Sequence, residues 1–241
     1  MEVQISRRSV VWDVLREVLA ARAAQTGRDR LDVIDAGGGT GGFAVPLAAL
    51  GHNVTVVDPS PDSLAAAQRR AAEMDVRISA VQGEAAGLDG VVGEDAADLV
   101  ICHSVLEYVD SPADALAAIT RVLRTGGTVS VLASGKVAAV LHRALTGRFD
   151  EARALLEGDR EAHPGTGPRW FTLPGLTELI EGAGLTPGAA HGAEIFGGLI
   201  PSVLVDADPG AAESLRALET AAATYPALRD IAAKLHVLGR R

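Results

Sequence analysis

A carboxylate, a run of glycines, two further carboxylates and a histidine recur through the first half of this 241-residue chain at spacings that suit ligand binding. In VIDAGGGTGGFA, Asp35 stands just ahead of Gly37, Gly38, Gly39, Gly41 and Gly42. The run reads both as G-x-G-x-x-G and as D-x-G-x-G-x-G, and in either form glycine permits a tight turn and a close approach to the main chain. The two readings part at the residue before the glycines. A pyrophosphate drawn to the following helix N-terminus would be repelled by Asp35, whereas a cationic ligand without phosphates would not. Asp58, 23 residues further on, ends an apolar run where a carboxylate can accept both hydroxyls of a ribose; its plainer reading is a solvated turn acid before Pro59. Glu84 in GEAAGL, with the backbone of Ala85 and Ala86 beside it, can accept from an adenine amino group. Together the three acids describe a nucleoside site without a phosphate clamp.

Such residues must be held at the ends of strands. Apolar runs alternate with helical patterns and short Gly/Pro punctuation, which predicts βα units. Strands are expected over 31–36, 53–57, 76–82, 98–102 and 128–133, with further strands over 186–196 and 235–239. Helices are expected over 10–24, 42–50, 60–74, 112–123 and 173–183, and around 211–224. Ser60 suits an N-cap and Pro112 a first helical turn. The fold class this implies is α/β: a doubly wound, mostly parallel seven-stranded sheet, Rossmann-like, with an antiparallel last strand. The chain reads as a single domain, 1–241, with insertions at about 135–169, read as a helical lid, and about 199–230, also helical.

Composition narrows the class. Hydrophobic residues make up 48% and charged residues 22%, as in an ordinary globular chain rather than a disordered one. The single cysteine, Cys102, excludes an internal disulfide framework and points to a reducing compartment. The opening MEVQISRRSVVWDVL lacks a signal-peptide pattern, and the apolar stretch 129–145 is broken by Lys136, His142 and Arg143. A cytoplasmic protein is expected, with no membrane partner and no metal. The net charge of −9 argues against broad nucleic-acid binding. The charge is unevenly spread: from Glu84 to Thr120 there are eight acids and no Lys or Arg, and from Thr120 to Phe149 five basic residues and no acid. The basic stretch (Arg121, Arg124, Lys136, Arg143, Arg148) is either a set of solvated helix faces or a positive rim for an anionic partner.

DAGGGTG, VTVVDPS, QGEAAGL, DLVICHSVLEYV and RVLRTGG, in this order and spacing, resemble the class I S-adenosylmethionine-dependent methyltransferases. The resemblance implies S-adenosyl-L-methionine as cofactor: Gly37, Gly38 and Gly39 cradle its methionine part, Asp58 binds the ribose, and Glu84, Ala85 and Ala86 border the adenine. RVLRTGG has Thr125 where that family usually has proline. LGHNVTVVDPS, CHSVLEYV, ALTGRFDEA and LETAAATYPALRDIAAKLHV look in addition like the tRNA 5-carboxymethoxyuridine methyltransferases, which esterify the carboxylate of a modified wobble uridine. That likeness implies cofactor contacts from Arg7 and His103. The short, weakly basic segment between Leu155 and Pro168 departs from what a tRNA binder needs.

His103 is then a base or a positioning residue. A carboxylate acceptor with a pKa near 4 needs no base at neutral pH, so alignment and desolvation would suffice. Substrate contacts are sought in Tyr108 as pocket wall, Trp170 as a stacking ring, Arg169 as a partner for a carboxylate, and Arg143 and Arg148 on the basic stretch. Cys102 reads as a small core residue. The acceptor is a tRNA wobble uridine or a small molecule. A cofactor-binding regulator is the alternative from another class, and an NAD-dependent reductase is disfavoured by Asp35.

Overall fold

A computed structural model describes residues 9–158, 167–200, 205 and 210–241; Arg7 lies outside them. Helix α1 (Val10–Thr26) starts where the Ser9 hydroxyl accepts the Trp12 N–H at 3.3 Å and stops at Gly27, whose φ of 66° is left-handed. Four βα steps and a fifth strand follow: β1 (Asp32–Ala36), α2 (Ala44–Ala49), β2 (Asn53–Asp58), α3 (Pro61–Glu73), β3 (Ser79–Gln82), a 3-10 turn leading into α4 (Leu88–Val92), β4 (Ala97–His103), α5 (Pro112–Val122) and β5 (Leu123–Ser134). Ser60 and Ser111 cap α3 and α5, each helix opening on proline. Helices α6 (Lys136–Leu145) and α7 (Phe149–Glu157) fill the insertion expected after β5. Helix α8 (Leu173–Gly182), β6 (Thr186–Ala193), the helices Ala211–Ala222 and Pro226–Arg229, and β7 (Lys234–Arg240) complete the order.

The seven strands run in the order β3-β2-β1-β4-β5-β7-β6. The first five are mutually parallel, and β7 lies antiparallel between β5 and β6. Strand alternation separates two cores, one on each face. Val100 and Cys102 of β4 and Val129, Val131 and Ala133 of β5 join Leu116, Ile119, Leu176 and Ile180. Leu99, Ile101 and Leu132 instead meet Leu15, Leu19 and Leu47 of α1 and α2. Every residue of β4 up to Cys102 is buried, as expected of a central parallel strand covered on both sides. Cys102 is a core residue, its thiol pushed far up by burial and by the nearby Glu107 and Asp35 carboxylates.

Three boundaries depart from the sequence reading. β6 ends at Ala193, not Phe196, because the Ile195 and Phe196 N–H groups donate to the Glu219 carboxylate instead of to β7. β3 is only four residues long, starting at Ser79 rather than Val76; it is the edge strand, and little of it is buried. β5 starts at Leu123, not Thr128: Leu123 pairs with Ala97, the register shifts, and pairing resumes at Leu99–Thr128. The Thr125–Gly127 turn is thus an irregularity inside a strand, with Gly126 at φ 76°.

At the N-terminal edge of the sheet, buried Asp98 accepts from Arg22 Nε at 3.1 Å, Arg124 Nη1 at 3.0 Å, the Asp32 N–H at 3.1 Å, and Arg28. Burial pushes its carboxyl up, but these donors together hold it below the usual range.

Candidate cofactor and acceptor site

The strand order reverses between β1 and β4, where the loops after these strands face each other, the usual place for a ligand in an open parallel sheet. Gly37, Gly39 and Gly41 are left-handed, at φ 72°, 51° and 79°. The Gly37 N–H donates to the Val57 carbonyl at 2.7 Å, which ties the loop to β2. The glycines are small for different reasons. A Cβ on Gly37 would lie 2.3 Å from Val105 Cγ2 across the crevice, and one on Gly38 would lie 2.6 Å from the Asp35 carboxyl. Beside Gly39 there is open space. At Gly39 the absent side chain leaves open space, as it does at Gly42; at Gly37 and Gly38 it leaves room for the protein itself.

Asp58 closes the far side of this loop. One of its oxygens accepts the Gly39 N–H and the other the Ser60 N–H, both at 2.9 Å. Each carboxylate oxygen has a second acceptor position, so the group that braces the loop can also take a diol. The Gly83 N–H donates to the Asp58 carbonyl at 3.3 Å, drawing the end of β3 alongside. Glu84 is exposed there, next to buried Ala85 and exposed Ala86.

Asp35 is placed differently from the sequence expectation of a ligand contact. Its carboxyl occupies the space a Gly38 side chain would need and is buried. Burial raises its pKa to about 7, the Ala44 N–H opposes this, and the Asp58 charge adds to it. Near neutral pH it is about half protonated. Its carboxyl therefore repels a pyrophosphate less than a fully ionised one would, and it seats the loop from beneath. The loops 36–43, 58–60 and 82–87 carry no Lys or Arg.

His103 ends β4 with its ring edge against Phe43, centroids 4.6 Å apart. Burial, then His236 and Lys234, hold its pKa well below the ordinary value, so it is neutral at pH 7. Nε2 shares a 2.7 Å hydrogen bond with Ser130 Oγ, while the buried Nδ1 has no partner. Beside it, Lys234 Nζ donates to Ser104 Oγ at 2.8 Å and Ser134 Oγ at 3.0 Å, and the buried Glu107 accepts from the Ser134 N–H and Oγ. Ser130 and His236 belong to no motif that marks them in the sequence.

A mostly apolar cavity of about 190 Å³ lies beyond the end of β5, between Gly135, Ala139 and Arg143 on one side and Trp170, Ile195 and Ala233 on the other. The Arg143 guanidinium lies 5.2 Å from the Trp170 ring centre, and its Nε is 3.6 Å from Glu151. The structure thus brings together two of the five residues proposed for substrate. The other three sit elsewhere. Tyr108 is 73% exposed and does not line the cavity. Arg148 faces outward against Glu151 at 3.4 Å. Arg169 straps the loop after β4, donating to the carbonyls of Val109 and Asp110.

Nor do the five basic residues form one rim. Arg121 pairs with Asp89 at 2.7 Å and Arg124 with Asp32 at 2.8 Å, both at the start of β5. Lys136, Arg143 and Arg148 lie past its other end. Proximity in sequence misled here because a twelve-residue strand separates the two groups by its whole length.

Fold and site define a class: the nucleoside-binding α/β sheet of S-adenosylmethionine-dependent methyltransferases. The residues present fit that cofactor, with two acids at strand ends, room beside Gly39 and no cationic phosphate clamp. A methyltransferase-domain family model matches residues 34–131. The chain is 32% identical over 154 residues to the tRNA 5-carboxymethoxyuridine methyltransferase of Escherichia coli (strain K12), covering 61% of this chain and 56% of that one. It is 31% identical over 146 residues to the ubiquinone biosynthesis O-methyltransferase of Xanthomonas campestris, covering 59% and 58%. Each match thus spans little more than half of the relative. An S-adenosylmethionine-dependent methyltransferase from Mesorhizobium loti superposes with a TM-score of 0.61 over 95% of this chain and 97% of that one, at 21% identity. Residues 34–131 match a methyltransferase domain, and the fold is that of S-adenosylmethionine-dependent methyltransferases. Among the described residues no helix is long and apolar enough to cross a membrane, and no group of three or more His, Cys, Asp or Glu is placed to hold a metal.

Proposed function

We propose that the chain methylates an oxygen of a flat, ring-bearing acceptor, with the carboxylate of 5-carboxymethoxyuridine in tRNA as the leading substrate. The observation that carries the acceptor class is the apolar cavity at the end of β5 with Arg143 stacked on Trp170: it accepts one ring and offers a cation to an anionic substituent. The tRNA reading is supported by the 32% identity to the Escherichia coli enzyme. In this scheme Asp58 accepts the ribose hydroxyls and Glu84 the adenine amino group, while Gly37–Gly39 border the methionine part and Arg7 its carboxylate. When bound, adenosylmethionine supplies an electrophilic methyl group on a sulfonium. Arg143 exchanges its contact with Glu151 for the acceptor carboxylate, and α6 and α7 serve as the lid. A carboxylate is already ionised at neutral pH, so His103 borders the acceptor without abstracting a proton. The protein's task is then alignment and exclusion of water.

A second reading, a small phenolic acceptor, is favoured by a specific observation: Arg121, Arg124, Arg143 and Arg148 all have acidic partners, which leaves little of that basic stretch for phosphates. Transfer of labelled methyl to tRNA lacking the ester, against a panel of hydroxybenzoates and catechols, decides between the two. Binding of that tRNA must also weaken with salt, and Arg143→Ala/Arg148→Ala must flatten the slope. Methylation of the small phenols with salt-insensitive, weak tRNA binding would overturn the leading reading.

A further inference from the structure

One line of buried polar atoms crosses three strands between the transfer site and the edge strand of the sheet. His103 Nε2 meets Ser130 Oγ at 2.7 Å, Ser130 Oγ meets His236 Nε2 at 2.8 Å, and His236 Nδ1 meets His191 Nδ1 at 3.3 Å. Its members come from β4, β5, β7 and β6. Ser130 and His236 are fully buried; His191, on the edge strand, is partly exposed. We propose that Ser130, His236 and His191 are positioning residues that determine which nitrogen of His103 carries its proton, and so whether Nδ1 offers the site a lone pair or an N–H.

The argument is one of counting. A serine hydroxyl has one proton, and a neutral imidazole has one N–H and one acceptor nitrogen. With three hydrogen bonds in series and neutral rings, only two arrangements place one proton in each bond. In the first, His103 Nε2–H donates to Ser130, Ser130 donates to His236 Nε2, and His236 Nδ1–H donates to His191; His103 Nδ1 is then bare. In the second, every bond runs the other way and His103 Nδ1 carries the proton. A buried N–H without an acceptor is rarer than an unsatisfied acceptor, and His103 Nδ1 has no partner, so the first arrangement is the resting one. Protonating His191 reverses it. A doubly protonated His191 cannot accept from His236, so His191 donates, His236 turns its Nε2–H to Ser130, and Ser130 turns its proton to His103 Nε2.

The surroundings make His191 the entry point. It faces Glu17 of α1, whose charge favours its cation, Arg229 of the helix before β7, which disfavours it, and His236. His236 is enclosed, with its pKa pushed down to about 3 by burial and by His191. His103 has His236 and Lys234 as its charged or titratable neighbours, and these, after burial, hold it neutral. A proton arriving from solvent therefore settles on His191 before either inner ring.

That Nδ1 borders the transferred methyl rests on the function proposed above; the linkage between the rings does not. The test is the 15N spectrum of the histidine rings in the folded full chain, with no methyl transfer involved. As pH falls through the titration of His191, His103 Nδ1 is expected to move from the bare-nitrogen to the protonated-nitrogen region without His103 becoming doubly protonated. Ser130→Ala and His191→Phe should each abolish that movement. If Ser130→Ala fails to fold, the edge variant His191→Phe decides. A His103 tautomer that stays constant while wild-type His191 titrates, or that switches equally in His191→Phe, overturns the proposal. Absence of methyl transfer with the switch intact would count against the function alone.

Discussion

Asp98 and Asp35 are the same side chain at opposite edges of one sheet, buried to 1% and 3% exposure, and their carboxyls behave in opposite ways. Asp98 is met by three arginines and a backbone N–H and stays ionised below its usual pKa. Asp35 has the Ala44 N–H against burial and a neighbouring Asp58, and rises to about 7. At the N-terminal edge Arg22 of α1, Arg28 of the turn after it and Arg124 of β5 neutralise Asp98. Unpartnered buried atoms occur at both edges: Arg28 Nε at this one, His103 Nδ1 and Glu107 Oε2 at the C-terminal one. Burial alone does not set a carboxyl's pKa; the number of donors aimed at it does.

The strongest way to break this contrast is Asp98→Asn. It leaves three guanidinium groups around a neutral amide, and stripping one partner from a buried ionic cluster costs about 3–5 kcal/mol. Urea unfolding should show that loss, with adenosylmethionine affinity unchanged in the folded fraction. A change under about 1 kcal/mol would mean the cluster is solvated rather than structural.

Asp35→Asn should act in the opposite direction and depend on pH. The wild-type carboxyl binds its proton more tightly folded than unfolded, so its contribution is fully present below the unfolded pKa of 3.8 and is lost as pH rises through about 7. Relative to wild type, the variant should gain roughly 1–3 kcal/mol between pH 5 and pH 8. Melting curves of both proteins at the two pH values test this; a constant difference would show that Asp35 is ionised at both.

Smallest in free energy is Asp58→Ala, which sharpens the functional half of the comparison. It removes the acceptor for the Gly39 and Ser60 N–H groups together with charge-assisted bonds to the ribose. Calorimetry should find adenosylmethionine binding weakened at least about tenfold. Wild-type affinity in this variant would remove Asp58 from the site.

The sequence made the first five strands legible because a parallel sheet buried on both faces demands continuous apolar runs, as in Leu99–Cys102 and Val54–Val57. It also marked Asp58, Glu84 and the glycines, which stand where such runs end. The place of β7 between β5 and β6 was not legible: LHVLG names a strand but not its neighbours. For the same reason the three partners of His103 in the chain (Ser130, His236 and His191), drawn from strands far apart in sequence, carried no signal. The glycine loop was legible as a pattern and misleading as a cause, since Gly37 and Gly38 yield to Val105 and Asp35 rather than to a ligand.

The insertion of β7 beside β5 also governs the order of events during synthesis. Ser134 and Lys234 pair across the two strands although 100 residues separate them. At about 5–20 residues per second a ribosome needs roughly 5–20 s to cover that interval. Throughout it, the hydrogen-bonding edge of β5 has no mate, and β6 is made before the strand it joins. A nascent chain in this state offers an apolar, unpaired edge to its neighbours. The last strand of the sheet to emerge completes it, carries His236 into its core, and sets Lys234 beside Ser104, so that the polar groups around His103 assemble only once the edge is closed.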